Sequence, residues 1–288
     1  MEFIISRLTE GLAKKILANK NNAIEYLTKL NEFININEIN EISKNTSTEI
    51  IWKLVVKYWD YEKSKSIIRN LFTKTDKFFR GKESVNAIEQ LLGEWKNLNL
   101  GDVAWPCSQG DFDGFVQRIN SLSDSGLVKD EKVKTAAVKY RRLKELNTVR
   151  NDYIETLIFE KNENIVPTLN HISGVDFFIN GVSFDQKVSK SPTKQFMKDY
   201  GDNWKQFAIQ NPLKVAEYLY KFQDEGRFGA DPRLYIVYLD EDIPVLDLKA
   251  KIDAIDITKP SEITFSYKHK NVGEKQYKTN CFVILLSK

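Results

Sequence analysis

Apolar residues recur every three or four positions along the first hundred residues, with polar residues between them. Ile24, Leu27 and Leu30 show this spacing, which places apolar side chains on one face of a helix. Residues 49–61 fit either a buried helix or a strand, and the preceding Ser47 favours a helix because serine is a preferred N-cap residue. The pattern therefore predicts that the first part of the chain is mostly helical.

The middle of the chain changes from an irregular segment to a long basic one. Residues 101–126 are rich in Gly, Asp and Ser and contain a proline, which predicts a loop or a domain boundary. Residues 129–162 return to a helical pattern, long enough for one helix or two, and carry many Lys and Arg residues. We therefore expect a helical N-terminal region over residues 1–126 and a second region over residues 127–288.

The clearest local signal is Asn180-Gly181, which lies between two short runs typical of strands. Both residues accept the positive φ angles of a type I′ turn, so the dipeptide predicts a hairpin with a two-residue loop. Counting outward places Asp176 opposite Asp185, with Lys187 on the same side as Asp185 because side chains alternate along a strand. The opposite side is expected to face the core and carries Phe177, Ile179, Val182, Phe184 and Val188.

After the hairpin, helical and strand-like segments alternate. Residues 233–239 and 281–286 are nearly continuous apolar runs, which are typical of strands covered on both faces. Residues 204–223 and 246–255 are helical in pattern, and Pro212 is expected to kink or split the first of them. The order predicts an α/β (α+β) fold with a mixed central sheet flanked by helices.

The charged side of the hairpin indicates a particular chemistry. Like charges directly across a ladder are destabilising, so Asp176 and Asp185 beside Lys187 predict a bound cation. Mg²⁺ typically takes one or two protein carboxylates and fills its remaining positions with water and phosphate oxygens. A metal ion acidifies a bound water and stabilises charge on a phosphate, and a lysine stabilises developing charge. The pattern therefore predicts metal-dependent phosphodiester hydrolysis.

These residues resemble a known family. Asp176, a strand and a turn, and then Asp185-Gln186-Lys187 resemble the signature of the PD-(D/E)xK nuclease superfamily, which includes most type II restriction endonucleases. Members commonly add a Glu on a helix before the first strand, and Glu155 stands at a suitable position, with Glu160 as its competitor. Val175 stands where the family name has a proline.

The resemblance implies a Mg²⁺-dependent endonuclease that hydrolyses DNA phosphodiester bonds, with Mn²⁺ as a substitute metal. Asp176, Asp185 and Glu155 would be the metal ligands, and Lys187 would position water or stabilise the transition state. Our leading interpretation is a type II restriction enzyme that cuts a specific double-stranded site as a homodimer, with residues 1–126 serving DNA binding or dimerisation. The alternatives are a toxin, antiviral or repair nuclease with low sequence preference, and a non-catalytic DNA-binding protein of the same fold.

Basic and hydroxyl side chains near the motif are the candidate contacts to DNA. The basic helical stretch would track phosphates, although a solvated helix face with Glu partners has the same pattern. The candidates are Arg141, Arg142, Arg150, Ser189, Lys190 and Lys194.

Composition adds a few limits. The 288-residue chain has a net charge of +3 and a pI near 8.5, which is compatible with nucleic-acid binding without requiring it. Cys107 and Cys281 give no disulfide or metal-ligand spacing. No apolar run is long enough to cross a bilayer and no secretory signal is evident. We therefore expect a cytoplasmic protein with no membrane partner and no organic cofactor.

Overall fold

The fold described here comes from a computed structural model, which describes residues 8–100, 109–169, 174–189, 191–240 and 243–288. These residues form an α+β fold in which helices pack on both faces of a mixed six-stranded sheet. The helices are α1 (Glu10–Leu17), α2 (Lys20–Ile34), α3 (Asn37–Asn40), α4 (Thr48–Lys57), α5 (Tyr61–Phe72), α6 (Asp76–Asn97), α7 (Gln109–Asn120), α8 (Gly126–Lys161), α9 (Lys194–Tyr200), α10 (Trp204–Gln210), α11 (Pro212–Lys221) and α12 (Val245–Asp253). The strands are β1 (Ile165–Pro167), β2 (Phe177–Ile179), β3 (Val182–Ser189), β4 (Arg233–Tyr238), β5 (Ser261–His269) and β6 (Gly273–Leu286).

Several helix boundaries follow from local sequence. Ser47 is the N-cap of α4 and accepts a hydrogen bond from Ile50 N–H, so the helical interpretation of residues 49–61 is confirmed for most of that segment. Pro212 begins α11 directly after α10 ends, which confirms the predicted split. Proline suits this first helical position because its missing N–H would have no partner within the helix there.

The predicted loop at residues 101–126 is wrong over much of its length. Gln109–Asn120 forms α7, and residues 101–108 lie outside the described part of the chain. Phe112 of α7 stacks on Tyr140 of α8, with ring centroids 5.0 Å apart. Tertiary packing thus stabilises a helix in a segment whose glycines and aspartates favour turns.

The sheet has the strand order β1-β2-β3-β4-β6-β5. β1, β2 and β3 are antiparallel, β3 is parallel to β4, β4 is parallel to β6, and β5 and β6 are antiparallel. The mixed sheet is therefore as predicted, whereas β1 and β5 were not anticipated. β5 does carry a signal in the sequence, because Ile263, Phe265 and Tyr267 alternate with more exposed residues.

One face of the sheet packs on α6, α8 and α12. Phe184 of β3 and Ile236 of β4 lie in one buried cluster with Ile154 and Ile158 of α8 and Ile252 of α12. The same cluster contains Phe177 and Ile179, and Val182 and Val188 pack against it. The predicted core side of the hairpin is therefore confirmed.

The other face of the sheet is covered by two separate groups of helices. Phe178 of β2 packs in the cluster formed with α1, α2, α4 and α5, so the side of the hairpin expected to carry charge also has a buried aromatic residue. Tyr235 of β4 packs with α9, α10 and α11. β3 lies between β2 and β4, and its residues Asp185 and Lys187 are in register with β4 residues on this face. The charged residues therefore lie on the strand between the two that these groups of helices cover.

Helices α6 and α8 pack side by side and run in opposite directions. Arg80, near the start of α6, pairs with Asp152 near the end of α8 at 2.8 Å, and Glu94 near the end of α6 pairs with Arg142 at 2.5 Å. This interface joins segments from both sides of the predicted boundary at residue 126, and the division into two regions stays a prediction. Within the described ranges, no helix combines the length and apolar character that crossing a bilayer requires.

Candidate active site

The turn of the predicted hairpin has the expected geometry. Asn180 and Gly181 both have positive φ, 51° and 81°, and Ile179 pairs with Val182. The Asn180 side chain accepts a hydrogen bond from Asn164 Nδ2 at 2.7 Å and donates one to the Thr258 carbonyl at 2.6 Å. The two-residue loop and its register are therefore confirmed, and neighbouring segments hold the turn in place.

The sequence predicted that Asp176 pairs directly opposite Asp185. This prediction is wrong, because the regular ladder ends before these two residues. The paired positions end at Phe177 and Phe184. One residue earlier, the backbone N–H of Asp176 donates to the Phe184 carbonyl at 2.9 Å, and its own carbonyl accepts from Thr168 N–H at 3.0 Å. The Asp176 carboxylate Oδ2 then accepts a hydrogen bond from Gln186 N–H at 2.7 Å. These bonds turn Asp176 toward the backbone of β3.

The Asp176 carboxylate nevertheless interacts with the other charged groups of the hairpin. Burial is the main reason that the pKa of Asp176 is raised above its ordinary value, and the negative charge of Asp185 raises it further. The Gln186 hydrogen bond and the positive charges of Lys77 and Lys187 lower it, without reversing the shift. The hairpin thus brings the two aspartates and Lys187 into one electrostatic group. Lys77, which the sequence did not single out, also belongs to this group.

This raised pKa predicts how Asp176 affects stability. A raised pKa means that the acid binds a proton more readily in the folded protein than in the unfolded chain. The folded protein therefore gains stability as the pH falls through the folded pKa, and it is less stable above that pKa, where the acid is charged. We therefore expect Asp176→Asn to be more stable than the wild type at neutral pH. The difference in the free energy of unfolding should shrink as the pH falls toward the ordinary value of 3.8. Denaturant unfolding at a series of pH values measures this difference.

Asp240→Asn is the matched control for that prediction. Hydrogen bonds from Lys205 and from Lys288 N–H lower the pKa of Asp240, so this carboxylate stabilises the fold when it is charged. Asp240→Asn should therefore be less stable than the wild type at neutral pH, and this loss should disappear as the pH falls through the lowered pKa. A loss of stability at neutral pH in Asp176→Asn would contradict the electrostatic description of the site.

Asp185 lies between two cations. Its carboxylate pairs with Lys187 Nζ at 2.7 Å and lies 3.7 Å from Arg233 Nε on the neighbouring strand. The Asp185 side chain is only 13% exposed, whereas that of Lys187 is 48% exposed. Lys187 can therefore reach a molecule that docks on the surface, while Asp185 stays fixed by its neighbours.

Glu155 joins this group through Lys77, a residue that sequence reasoning missed. Lys77 of α6 and Glu155 of α8 form an ion pair whose two side chains are each 5% exposed, and the charge of Lys77 also acts on Asp176. The competitor Glu160 instead pairs with Lys82 at 2.7 Å nearer the surface. Of the two predicted accessory acids, Glu155 is therefore the one whose ion-pair partner also acts on Asp176.

The hairpin group contains two carboxylates, those of Asp176 and Asp185. Among the described residues, no three His, Cys, Asp or Glu side chains are grouped so that they could hold a metal ion together. Mg²⁺ typically takes one or two protein carboxylates and fills its remaining positions with water and phosphate oxygens, so these two would be its protein ligands. Glu155 is turned toward Lys77 in this arrangement.

Two of the candidate DNA-binding arginines have acidic partners. Arg141 pairs with Glu145 at 2.9 Å and is exposed, and Arg142 pairs with Glu94 at 2.5 Å. Arg141 therefore lies on the solvated helix face that the sequence allowed as an alternative, whereas Arg142 lies in the interface between α6 and α8. A phosphate would have to compete with these carboxylates for both guanidinium groups.

The remaining candidate contacts differ in accessibility. Arg150 is buried, at 7% exposure, beside Tyr238, so its guanidinium does not face a docking duplex in this arrangement. Ser189 donates a hydrogen bond to the Ser191 carbonyl at 2.6 Å. Lys194 is exposed at the first position of α9, and Lys190 lies outside the described residues.

Comparisons of the chain with protein-family models, with curated proteins and with solved structures found no match in any of the three. The structure defines an α+β protein with a mixed open sheet and a charged site on its central strand β3. The geometry of that site is therefore the basis for its function.

Proposed function

We propose that this protein is a Mg²⁺-dependent endonuclease that hydrolyses phosphodiester bonds in double-stranded DNA. The observation that carries the proposal is the hairpin, which joins Asp176, Asp185 and Lys187 in one electrostatic group. The position of this group supports it, because the group lies between two groups of helices on one face of the sheet. A substrate that docks there would contact Asp185 and Lys187 between the two apolar clusters on this face of the sheet.

Each residue has a role that follows from its surroundings. Asp176 and Asp185 would hold the metal, because they are the two carboxylates of the group and are both largely buried. The bound metal would acidify a water molecule and stabilise charge on the phosphate. Lys187 would orient that water or stabilise the transition state, because its exposed ammonium is anchored at 2.7 Å from Asp185.

Lys77 and the hairpin each line a cavity. A cavity of about 490 Å³ is lined by three basic and two acidic residues, Lys74, Lys77, Arg80, Glu25 and Asp76, and a smaller one of about 220 Å³ is lined by Ser183 and Pro232 beside the hairpin. The three basic groups of the larger cavity are paired with Glu155, Glu25 and Asp152, so a phosphodiester backbone that docks there would compete with these carboxylates. Cutting both strands of a duplex calls for two such sites, so the proposal includes a symmetric homodimer.

The test is digestion of plasmid and phage DNA of known sequence by the full-length protein. We expect cleavage in Mg²⁺ or Mn²⁺ and none in EDTA. Discrete fragments with common ends would support a restriction enzyme, whereas a smear would support a nuclease of low sequence preference. If neither DNA nor RNA is cut with either metal, the endonuclease proposal fails, and retained duplex binding would favour the non-catalytic alternative.

A further inference from the structure

Strand β5 forms one edge of the sheet, and among the described residues no strand pairs with its outer side. It is nine residues long and pairs with β6 without interruption, whereas β1 at the opposite edge has three residues. An edge strand presents a row of backbone N–H and C=O groups with which another strand can pair. Proteins often block such an edge with a bulge or a proline inside the strand, and β5 contains neither.

The rest of the fold holds β5 in an extended conformation. Phe265 and Tyr267 are 2% and 4% exposed, and Phe265 stacks on Tyr220 of α11 with ring centroids 4.8 Å apart. At the end of the strand, His269 is hydrogen-bonded to Glu225 at 3.1 Å. A strand that is already ordered loses little conformational freedom when another strand pairs with it, so β5 is prepared for binding along its edge.

The sequence of β5 is complementary to itself when two copies run antiparallel. A pairing centred on Phe265 aligns all nine residues of both strands, and any other centre leaves residues at the ends without a partner. In this register Glu262 faces Lys268 of the second copy, and Ile263 faces Tyr267 of the second copy. Opposite charges and apolar side chains that face each other across a ladder stabilise it. Two-fold symmetry makes each of these contacts twice.

The two charged residues are placed on the solvent side of the strand. Glu262 is 57% exposed, and Lys268 is also exposed, on the same face because the two positions are an even number of residues apart. Within the chain, Glu262 pairs with Lys278 at 2.8 Å, and Lys268 is in register with Glu274 of β6. Pairing of two β5 strands would therefore extend these contacts into a row of alternating charges.

We propose that β5 is a dimerisation surface, which pairs antiparallel with β5 of a second copy of this chain about a two-fold axis at Phe265. The two six-stranded sheets join into one. The same face of both sheets is then continuous, so α11 of each copy lies on one side near the axis, and contacts between these helices add to the backbone hydrogen bonds. The dimer is closed, because each copy uses its own β5 edge, and the interface needs neither metal nor nucleic acid.

The first test measures self-association of the full-length protein by sedimentation equilibrium, without metal or nucleic acid. We expect the wild type to form a reversible dimer. Glu262→Lys and Lys268→Glu each place like charges across the interface at two symmetric positions, and each should weaken dimerisation at least about tenfold. The double variant exchanges the two charges, so opposite charges face each other again. Its affinity should return to within about threefold of the wild type.

Glu49→Lys is the matched control for the charge reversals. It makes the same change as Glu262→Lys on α4, where Glu49 is 72% exposed and paired with Lys53, and it should dimerise as tightly as the wild type. Thermal unfolding confirms that each variant is folded, since exposed ion pairs contribute little to stability. A wild type that stays monomeric up to roughly 0.1 mM would overturn the proposal. Single variants as tight as the wild type, or a double variant no tighter than the single ones, would also overturn it.

The second test follows backbone hydrogen exchange by mass spectrometry, at a concentration at which the wild type is mostly dimeric. Exchange in residues 261–269 should be several-fold slower in the wild type than in Glu262→Lys, because pairing covers the outward N–H groups of β5. β1, the strand at the other edge, is the internal control and should exchange equally in both proteins. Equal exchange of residues 261–269 would show that β5 does not form the interface.

The outcomes separate this interface from the proposed endonuclease. If the protein dimerises through β5 but cuts neither DNA nor RNA, the interface stands and the endonuclease proposal fails. If the protein cuts DNA while it remains monomeric, the interface is wrong and metal-dependent hydrolysis stands.

Discussion

Asp185→Asn is expected to lower Mg²⁺-dependent DNA cleavage by at least about 10²–10³-fold. A bound metal stabilises the transition state by several kcal/mol, and each 1.36 kcal/mol corresponds to about a factor of ten in rate. The amide keeps the size of the side chain but loses the charge that would hold the metal. The measurement is the rate of conversion of supercoiled plasmid to nicked and linear forms.

The same substitution should leave the fold and the binding of DNA largely intact. Lys187 is half exposed, and Arg233 keeps its hydrogen bonds to Gln223 at 2.7 Å and to Tyr235 at 3.2 Å. We therefore expect the free energy of unfolding to change by no more than about 1–2 kcal/mol. Duplex binding without metal should be equal or tighter, because one negative charge near the phosphates is removed.

Glu160→Gln is the control for Asp185→Asn. It also turns an ion-paired carboxylate into an amide, but Glu160 pairs with Lys82 away from the hairpin. Its cleavage rate should stay within about twofold of the wild type, as for surface changes with small energetic effects. Wild-type cleavage by Asp185→Asn, in a preparation free of wild-type protein, would show that the hairpin is not the active site.

Gly81→Ala is expected to be the most destabilising single-methyl change in α6. A Cβ at Gly81 would lie 2.7 Å from the Asp152 carbonyl oxygen and 2.8 Å from Thr156 Cβ. Neither atom is at the flexible end of a side chain, so α6 must move away from α8. Overpacking of this kind typically costs about 1–3 kcal/mol, which should lower the Tm by roughly 2–12 °C.

The substitution should also disturb the site, because α6 carries Lys77 and α8 carries its partner Glu155. Gly93→Ala, in the same helix, is the matched control, since a Cβ there meets nothing within 4 Å. It should raise the free energy of unfolding by about 0.5–1 kcal/mol, because glycine disfavours a helix relative to alanine. Equal stabilisation by both substitutions would mean that α6 and α8 do not pack this closely.

The hairpin could be predicted from sequence because its determinants are local. The positive φ of Asn180 and Gly181 reflects the preference of those two residues, and side-chain alternation then fixes which residues face the core. The position of Asp176 could not be predicted in this way. The Asp176 carbonyl accepts a hydrogen bond from Thr168 N–H where the ladder ends. The residues from Asp176 to Lys187 do not indicate that Thr168 is the partner.

The elements that sequence reasoning missed depend on contacts between distant segments. α7 forms in a segment with many turn-favouring residues and packs on α8 through Phe112 and Tyr140. β1 is three residues long, too short for alternation to identify it. Arg150 resembles a solvent-facing base in the sequence, yet it is buried beside Tyr238, because the contact depends on where the helix meets the sheet.

The sequence by itself determined the hairpin, its core side and the mixed α+β pattern, since backbone preferences and apolar periodicity act over a few neighbouring residues. Only the tertiary structure decided which charges meet. Lys77 and Glu155 lie far apart in the chain and come together because Gly81 lets α6 approach α8 closely. The burial of a charged side chain is a property of packed elements, and no local pattern encodes it.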